Sequence, residues 1–470
     1  MAPPREDGPG LSRTLGARHL SMIAVGGVIG AGLFVGSGQA IADAGPAVLI
    51  TYALAGVLVI LVMRMLGEMA TADPRTGSFS AYAEEGIGRW AGFSVGWLYW
   101  WFWVTTIGVE ATAGAAIVHR WMPFLPQWAW VLVLMAVLTL TNLFSVKSYG
   151  EFEFWFASIK VAAIVVFVLL GLAAVAGLLP GVEAPGLRNL TGNGGFAPHG
   201  FGPVFSAIFV VVFSFFGAEI ATIAASESPD PVGAARRAVR SIMWRILVFY
   251  LGSIAVVVTL LPYDDASVGK SPYVAVLDLI GLPAAGTVMD VIVLTAVLSC
   301  LNSGLYTASR MAFSLSGRGD APRAWQRVSS GGVPRAAVLA STVVGFATVI
   351  LNYFVPEQVF SFLLNTSGAL AVFIWLAISV TQLRMRRRLA AAHPGGLPLR
   401  MWGFPYLTWL AIVAMAALLI AMFFDPSGRP QLLASLALTV VVVVVGITRQ
   451  VRAKDGGPAN SEETFLRSPS

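Results

Sequence analysis

Near its N-terminus the sequence reads His19-Leu-Ser-Met-Ile-Ala-Val-Gly-Gly-Val-Ile-Gly-Ala-Gly-Leu-Phe34, an apolar run that glycine interrupts at Gly26, Gly27, Gly30 and Gly32. A bilayer core tolerates irregular backbone only where it is buried in protein or lines a cavity, because each unpaired N–H or C=O group costs several kcal/mol in hydrocarbon. Broken helices at membrane depth are typical of secondary transporters. The run therefore predicts a binding site made of backbone for a small polar solute.

The composition places the whole chain in a membrane. Its 470 residues are 57% hydrophobic and only 11% charged, and the mean hydropathy is +0.78. Soluble domains carry roughly 25% charged residues, so we expect a polytopic helical membrane protein. The first ten residues are polar, and no cleavable signal is expected ahead of the first span. The single cysteine, Cys300, excludes an intramolecular disulfide.

Counting about 20 apolar residues per crossing predicts twelve spans. They lie near residues 20–41, 46–67, 91–118, 128–145, 155–179, 203–225, 242–262, 286–314, 336–355, 359–383, 404–424 and 431–448. We expect residues 1–18 and 450–470 to be tails and residues 19–449 to form the transmembrane domain.

Basic residues concentrate in alternate connections and set the predicted orientation. They include Arg5, Arg13 and Arg18 before the first span, Arg236, Arg237 and Arg240 before the seventh, and Arg384, Arg386, Arg387 and Arg388 after the tenth. By the positive-inside rule both termini are cytoplasmic, which agrees with an even number of spans. The net charge of +6 is explained by this pattern, so no nucleic-acid partner is expected.

A second interruption lies in the sixth span, where Phe213-Ser-Phe-Phe-Gly-Ala-Glu219 places small residues and a carboxylate inside apolar sequence. It follows the first break by five spans, the pattern of an inverted-repeat transporter. We expect repeat one at about 19–180, repeat two at about 203–385, and two extra helices at about 403–449.

Paired helix breaks have a specific chemical use. The N-termini of half-helices offer free N–H groups and a positive dipole to a carboxylate, and the C-terminal ends offer carbonyls to an ammonium. The alternative for Gly30 and Gly32 is close helix packing by small residues. A dinucleotide-binding glycine loop is excluded, because no strand precedes these glycines and no ribose-binding acid follows them.

Four ionisable residues inside the predicted spans are functional candidates, because burying a charge is costly unless it is paired or faces water. They are Lys160, Glu219, Glu110 and Arg310. Lys160 is interpreted either as a carrier that loads and releases a proton or as a lysine whose ammonium reaches the interface. Glu219 either takes part in transport or ties the broken helix together, whereas structural pairing is the favoured role of Glu110 and Arg310.

Several stretches resemble one family of transporters. They are Gly26–Phe34 (GGVIGAGLF), Ala44–Val48 (AGPAV), Arg64–Ala70 (RMLGEMA), Gly88–Val104 (GRWAGFSVGWLYWWFWV), Ser145–Trp155 (SVKSYGEFEFW), Phe215–Ala225 (FFGAEIATIAA), Ser299–Met311 (SCLNSGLYTASRM), Arg318–Pro322 (RGDAP) and Gln382–Arg386 (QLRMR). From about Leu15 to about Arg449 the chain resembles the amino acid–polyamine–organocation (APC) superfamily. Within it, the amino acid transporter family and its bacterial GABA (4-aminobutyrate) permeases are the most similar.

The resemblance implies an all-α, twelve-helix fold with a five-plus-five inverted repeat, and proton-coupled uptake of an amino acid. It implies a substrate site at Ile29, Gly30, Ala31, Gly32, Phe213, Phe216 and Gly217, where the amides near Ala31 hold the carboxylate and the carbonyls of Ile29, Phe213 and Phe216 receive the ammonium. Phe213 would also gate the site. Lys160 and Glu219 would serve proton coupling, and Glu110 and Cys300 would lie near the pathway.

One residue departs from the pattern, because Gly32 stands where the GABA permeases carry serine, and this leaves the substrate open. The function expected is H⁺ symport of GABA or a related ω-amino acid in the cell inner membrane. The alternatives are a permease for aromatic or aliphatic α-amino acids and an amino acid exchanger or sensor. The favoured interpretation of Cys300 is that it packs as a small apolar side chain in a helix interface.

An enzyme is excluded by the residues available. The polar side chains form no nucleophile–base or metal set, and the four histidines (His19, His119, His199 and His393) lie in tails, loops or near span ends. No metal or other cofactor is expected, and no ATP-binding motif is present, so an ion gradient would supply the energy. The partners expected are the amino acid, a proton and the lipid bilayer.

Overall fold

The computed structural model describes residues 29–73, 78–144, 147–220, 230–282, 284–329 and 332–455. These residues form helices and connecting loops, and no β-strand occurs among them. Gly26, Gly27, residues 221–225 of the sixth predicted span and both tails lie outside the described residues.

The described residues contain seventeen α-helices, α1 to α17 in chain order. They are α1 (Ser37–Ala44), α2 (Val48–Ala72), α3 (Ser78–Gly86), α4 (Arg89–Trp121), α5 (Gln127–Phe144), α6 (Lys147–Val175), α7 (Arg188–Thr191), α8 (Gly202–Ser206), α9 (Ile208–Phe215), α10 (Pro231–Arg245), α11 (Ser253–Leu260), α12 (Pro272–Ile280), α13 (Ala285–Gly317), α14 (Arg335–Phe354), α15 (Pro356–Ala392), α16 (Tyr406–Phe424) and α17 (Arg429–Asp455). Short π-helical turns precede α1 (Gly32–Gly36) and α11 (Ile246–Gly252), and 3₁₀ turns lie at Gly45–Ala47 and Arg323–Gln326.

The predicted spans correspond to these helices. Ten helical segments in the described residues are long and apolar enough to cross a membrane, and a shorter apolar helix occupies Gln127–Leu143. The first segment, Gly32–Ala72, contains the end of the first predicted span and the whole second span. The 3₁₀ turn at Gly45–Ala47 separates these two spans, since Gly45 has a φ of 63° and Pro46 follows it.

Several helices extend beyond the predicted span boundaries. Helix α10 begins at Pro231 rather than near residue 242, because Asp230 caps it by accepting a hydrogen bond from the backbone N–H of Gly233 at 2.9 Å. Helix α15 likewise continues to Ala392, past the predicted end at residue 383. An apolar run marks where a helix meets the bilayer, whereas capping residues and solvated polar turns decide where the helix itself ends.

The centre of the molecule is built on α4, against which α13, α15 and α14 pack. Small residues bring these helices close together, and a Cβ added at Gly304 would meet the Trp103 ring at 3.3 Å. Helix α9 packs on α15 and on the π turn that begins at Gly32. The two predicted helix breaks therefore face each other inside the bundle, while α16 and α17 expose most of their apolar surface.

A buried carboxylate joins α2 to α15. Glu68 is fully buried and accepts hydrogen bonds from Gln382 Nε2 at 2.7 Å, from the backbone N–H of Met401 at 2.6 Å, and from the guanidinium of Arg386. Removing one partner of such a buried pair leaves a charge uncompensated. This network explains Glu68, the acidic residue of the Arg64–Ala70 stretch, as a structural one.

Candidate substrate site at the two helix breaks

The first break lies where the described chain begins. Ile29 and Gly30 precede the π turn Gly32–Gly36, and the N–H of Phe34 donates to the carbonyl of Gly30 at 3.3 Å. Single π turns are frequent at functional sites because they leave backbone groups without regular helical partners. A Cβ added at Gly32 would lie 2.9 Å from Ser214 Oγ and 3.0 Å from Ser214 Cα. Glycine at this position thus permits direct contact between the two broken helices.

The second break follows α9. Phe216 has an extended backbone (ψ 145°), Gly217 has a φ of 101°, and helical backbone resumes at residue 218. The N–H of Gly217 donates to both carboxylate oxygens of Glu219, at 3.1 and 3.0 Å. Glu219 is fully buried, so its carboxylate satisfies a backbone donor that the break exposes. The hydroxyl of Tyr99 faces the same carboxylate, and the buried Arg245 acts on it electrostatically.

A small pocket lies between the breaks. It is lined by Gly32, Phe102, Trp103, Thr106, Glu110, Phe213, Ser214, Phe216 and Cys300. The volume open to the centre of a water molecule is about 10 Å³, which is room for about one water. The side chains therefore fill the space between the two breaks almost completely.

Glu110 occupies the backbone donor of the first break. The N–H of Ala31 lies 3.2 Å from Glu110 Oε1 and 3.0 Å from Oε2, and the carboxylate is almost fully buried. A Cβ added at Gly30 would collide with Glu110 Oε1 and would lie 2.8 Å from Cys300 Cβ. Only glycine at position 30 allows this approach between the first break, α4 and α13.

Behind Glu110 lies a cluster of buried ionisable side chains. The ammonium of Lys160, which is fully buried, lies 4.0 Å from Glu153 Oε1. Glu153 is fully buried as well and accepts a hydrogen bond from Ser299 Oγ at 2.7 Å. The thiol of Cys300 contacts the Glu110 carboxylate, on which the charge of Lys160 also acts. The ammonium of Lys160 thus points into the protein and does not extend to the interface.

Aromatic rings cover the pocket. The rings of Phe102 and Phe216 have centroids 3.8 Å apart, and Phe102 lies 5.9 Å from Phe213. Phe216 also stacks on Trp375 of α15, with centroids 6.0 Å apart. This packing joins the second break to α4 and α15.

The structure brings most of the predicted site residues together. Gly32, Phe213, Phe216, Glu110 and Cys300 line the pocket, and Gly30 and Ala31 contact Glu110. Ile29 lies beside a second small cavity that Arg245 and Tyr250 also line, while Gly217 binds Glu219. Cys300 therefore contacts a carboxylate in the pocket, unlike the apolar interface residue favoured by the sequence.

The predicted residues outside the pocket have local partners. Arg310 stacks on the Tyr306 ring, with its guanidinium carbon 3.2 Å from the centroid. His119, His199 and His393 each place Nδ1 within hydrogen-bonding distance of a backbone carbonyl. His19 lies outside the described residues.

Several residues of the site are not among those selected from the sequence. Phe102, Trp103 and Thr106 line the pocket, and their spacing from Glu110 puts all four on one face of α4. With Glu110 selected as a site residue, this spacing predicts that the other three lie beside it. Glu153, the partner of Lys160, lies seven residues before it on α6, a two-turn separation that places both on the same helix face.

Comparisons with known proteins show what this chain is similar to. A model of the amino acid permease family matches residues 19–460. The gamma-aminobutyric acid permease of Bacillus subtilis (strain 168) is 52% identical over 435 residues, covering 93% of this chain and 93% of that protein. The gamma-aminobutyric acid permease of Escherichia coli (strain K12) is 49% identical over 441 residues, covering 94% of each.

A solved structure has the same fold. A mutant of the manganese transporter of Eremococcus coleocola matches with a TM-score of 0.56 at 15% identity, covering 92% of each chain. At that identity the likeness concerns the fold alone. It confirms the predicted fold class, an all-α polytopic membrane fold of the APC type.

Proposed function

Since the chain belongs to the amino acid permease family, we propose that it imports GABA or a related ω-amino acid by proton symport with alternating access. Its membership makes the chain a multi-pass membrane transporter and not an enzyme. The main observation in support of proton-coupled amino acid uptake is the hydrogen bond from the N–H of Ala31 to the Glu110 carboxylate, on which the charge of the buried Lys160 also acts. The names of the two GABA permeases, at 52% and 49% identity, support the choice of substrate.

The carboxylate of the substrate would take the place of the Glu110 carboxylate. Both are carboxylates, and the N–H of Ala31 opens the first helical turn after the break, where the helix dipole favours a negative charge. Glu110 would have to release this donor before the substrate binds it. Glu110 therefore acts as an internal occupant of the substrate site.

Protonation supplies a reason for that release. A carboxylate accepts a charge-assisted hydrogen bond more strongly than a neutral acid does, so a proton on Glu110 weakens its hold on Ala31. Lys160 and Glu153 form an adjacent ion pair that can share this proton. Binding of a proton and binding of a substrate carboxylate would thus favour each other, which is the coupling that symport requires.

The ammonium end of the substrate would be received by carbonyls at the breaks, as the resemblance implies for Ile29, Phe213 and Phe216. The carbonyl of Phe213 accepts a hydrogen bond from the N–H of Phe216 at 3.2 Å and keeps a second lone pair. GABA carries its ammonium three methylene groups from the carboxylate. The space for this length would come from separating Phe213 and Phe216 from Phe102.

The inverted repeats, the two extra helices and the cytoplasmic position of both termini complete the proposal. Pairs of interrupted helices five spans apart support the repeats, and the arginine-rich connections support the orientation. The exposed apolar surfaces of α16 and α17 support their place at the periphery.

Transport assays on the purified full chain test the proposal. Proteoliposomes carrying an inward proton gradient are supplied with labelled GABA or with a panel of α-amino acids. Gradient-driven accumulation of GABA is expected. Uptake of an α-amino acid without uptake of GABA would show that the substrate is an α-amino acid. Counterflow without accumulation would show that the protein is an exchanger.

A further inference from the structure

Another cavity, larger than the two described above, lies between the start of α4 and the end of α17. It is lined by Arg89, Phe93, Asp320, Gly446, Arg449, Gln450 and Arg452. The centres of water molecules can occupy about 200 Å³ of this cavity, compared with about 10 Å³ of the substrate pocket. We propose that this cavity, here called the arginine cavity, binds the phosphate group of an anionic phospholipid.

The walls of the arginine cavity are held by close packing. A Cβ added at Gly446 would lie 2.9 Å from the carbonyl of Trp90 and 3.1 Å from the Phe93 ring, so α17 lies directly against α4 there. The N–H of Trp90 donates to Gln450 Oε1 at 2.9 Å. The two helices thus form a fixed cleft, rather than a chance gap between mobile ends.

Positive charge dominates the lining. The lone acid, Asp320, is already engaged, because Arg318 Nε lies 3.8 Å from its Oδ2 and Arg449 Nη2 lies 4.0 Å from its Oδ1. Arg89 and Arg452 are exposed and make no ion pair within the described part of the chain. The cavity therefore offers two guanidinium groups to an anion, and guanidinium suits the bidentate geometry of phosphate.

The position of the cavity favours a lipid over a soluble anion. Along α17 the exposed apolar residues Val440, Val441 and Val444 lead toward Arg449 and Arg452. The arginines follow the last apolar turn, which is the depth of the headgroups. Acyl chains lying against the exposed face of α17 would add apolar contact that free phosphate cannot make. Basic pockets between transmembrane helices are known to hold lipid headgroups.

Occupation of the arginine cavity would join two parts of the transporter. Helix α17 is peripheral and exposes most of its surface, whereas α4 carries Glu110 and the pocket residues Phe102 and Trp103. A phosphate bound by Arg89 on α4 and by Arg452 on α17 would add a second link between these helices, beside the hydrogen bond from Trp90 to Gln450. The proposal rests on the chain being a membrane protein, not on which amino acid it transports.

Native mass spectrometry of the full chain tests the proposal, with phosphatidylglycerol titrated into a nonionic detergent. The double variant Arg89→Gln/Arg452→Gln is expected to weaken the tightest phosphatidylglycerol site about 30-fold, taking each arginine as comparable to a basic residue at a membrane surface. The matched control is Arg384→Gln/Arg387→Gln, which removes the same charge from exposed positions outside the cavity and is expected to leave that site unchanged.

Three further arms separate the other outcomes. Arg452→Gln alone provides an intermediate effect if the double variant fails to fold. Arg89→Lys/Arg452→Lys keeps the charge but not the bidentate geometry, so its affinity is expected to lie between those of wild type and Arg89→Gln/Arg452→Gln. Millimolar inorganic phosphate is expected to displace little lipid. Equal affinity in wild type and Arg89→Gln/Arg452→Gln, or equal losses in both double variants, would overturn the site. Full displacement by inorganic phosphate would overturn the lipid as its ligand.

Discussion

The carboxylate of Glu110 accepts a hydrogen bond from the backbone N–H of Ala31, with its two oxygens 3.2 and 3.0 Å from the nitrogen. This donor belongs to the first helix break, where the substrate carboxylate is proposed to bind. A side chain 79 residues away in sequence thus occupies a backbone donor at the start of a helix. The closed pocket and the proposed proton coupling both follow from this relationship.

Glu110→Gln is expected to separate substrate binding from proton coupling. The amide oxygen still accepts from Ala31, but glutamine cannot take up a proton, so gradient-driven accumulation of GABA is expected to fall at least 10-fold. Counterflow of labelled against unlabelled GABA should persist, because it needs no net proton movement. Both rates are measured in proteoliposomes of the same protein content.

The control for this variant is Glu357→Gln, which changes an exposed acid in the first turn of α15. It is expected to transport as wild type does. Undiminished accumulation in Glu110→Gln would show that this carboxylate takes no part in coupling.

Lys160→Ala is expected to abolish accumulation and to destabilise the protein. It leaves the fully buried Glu153 without its cation, and breaking a buried pair in this way costs about 3–5 kcal/mol. The double variant Lys160→Ala/Glu153→Gln removes the uncompensated charge, so its thermal stability should recover while accumulation stays lost. Accumulation regained together with stability would assign Lys160 a purely structural role.

Gly32→Ser tests the departure from the GABA-permease pattern. A Cβ at this position would lie 2.9 Å from Ser214 Oγ and 3.0 Å from Ser214 Cα, and such overpacking costs about 1–3 kcal/mol. GABA uptake is expected to fall about 10-fold. Adding Ser214→Ala removes the contact with Oγ and should restore part of the rate. The recovery should be incomplete, because the contact with Ser214 Cα remains. Faster GABA uptake in Gly32→Ser would mean that the serine hydroxyl is needed and that wild type prefers another substrate.

The sequence predicted the membrane class, the order of the spans and the helix break at Phe216–Gly217, because these depend on local apolar length and on glycine. It also selected Glu110 and Lys160, since a charge in an apolar run is costly. It did not predict that Glu110 would lie on Ala31 or that Glu153 would pair with Lys160. Those contacts depend on how α4, α6 and the first break pack, and local patterns carry little information about packing between distant helices.

Gly217→Ala is expected to disrupt the second break. Gly217 has a φ of 101°, a conformation that costs a residue with a Cβ about 1–3 kcal/mol. Its N–H also holds Glu219, so a shift of the backbone would break that contact. Transport and thermal stability should both fall. Gly202→Ala is the matched control, because a Cβ there meets no atom within 4 Å, and equal behaviour of the two variants would contradict the role given to Gly217.

We propose that GABA and a proton enter together through the site at Ala31 and Glu110. The most direct measurement is labelled GABA uptake into proteoliposomes of wild-type protein, with an inward proton gradient and with the gradient collapsed by a protonophore. GABA is expected to accumulate above its external concentration, and this accumulation is expected to disappear when the gradient is collapsed. Uptake that only equilibrates, or that is unaffected by the protonophore, would contradict it.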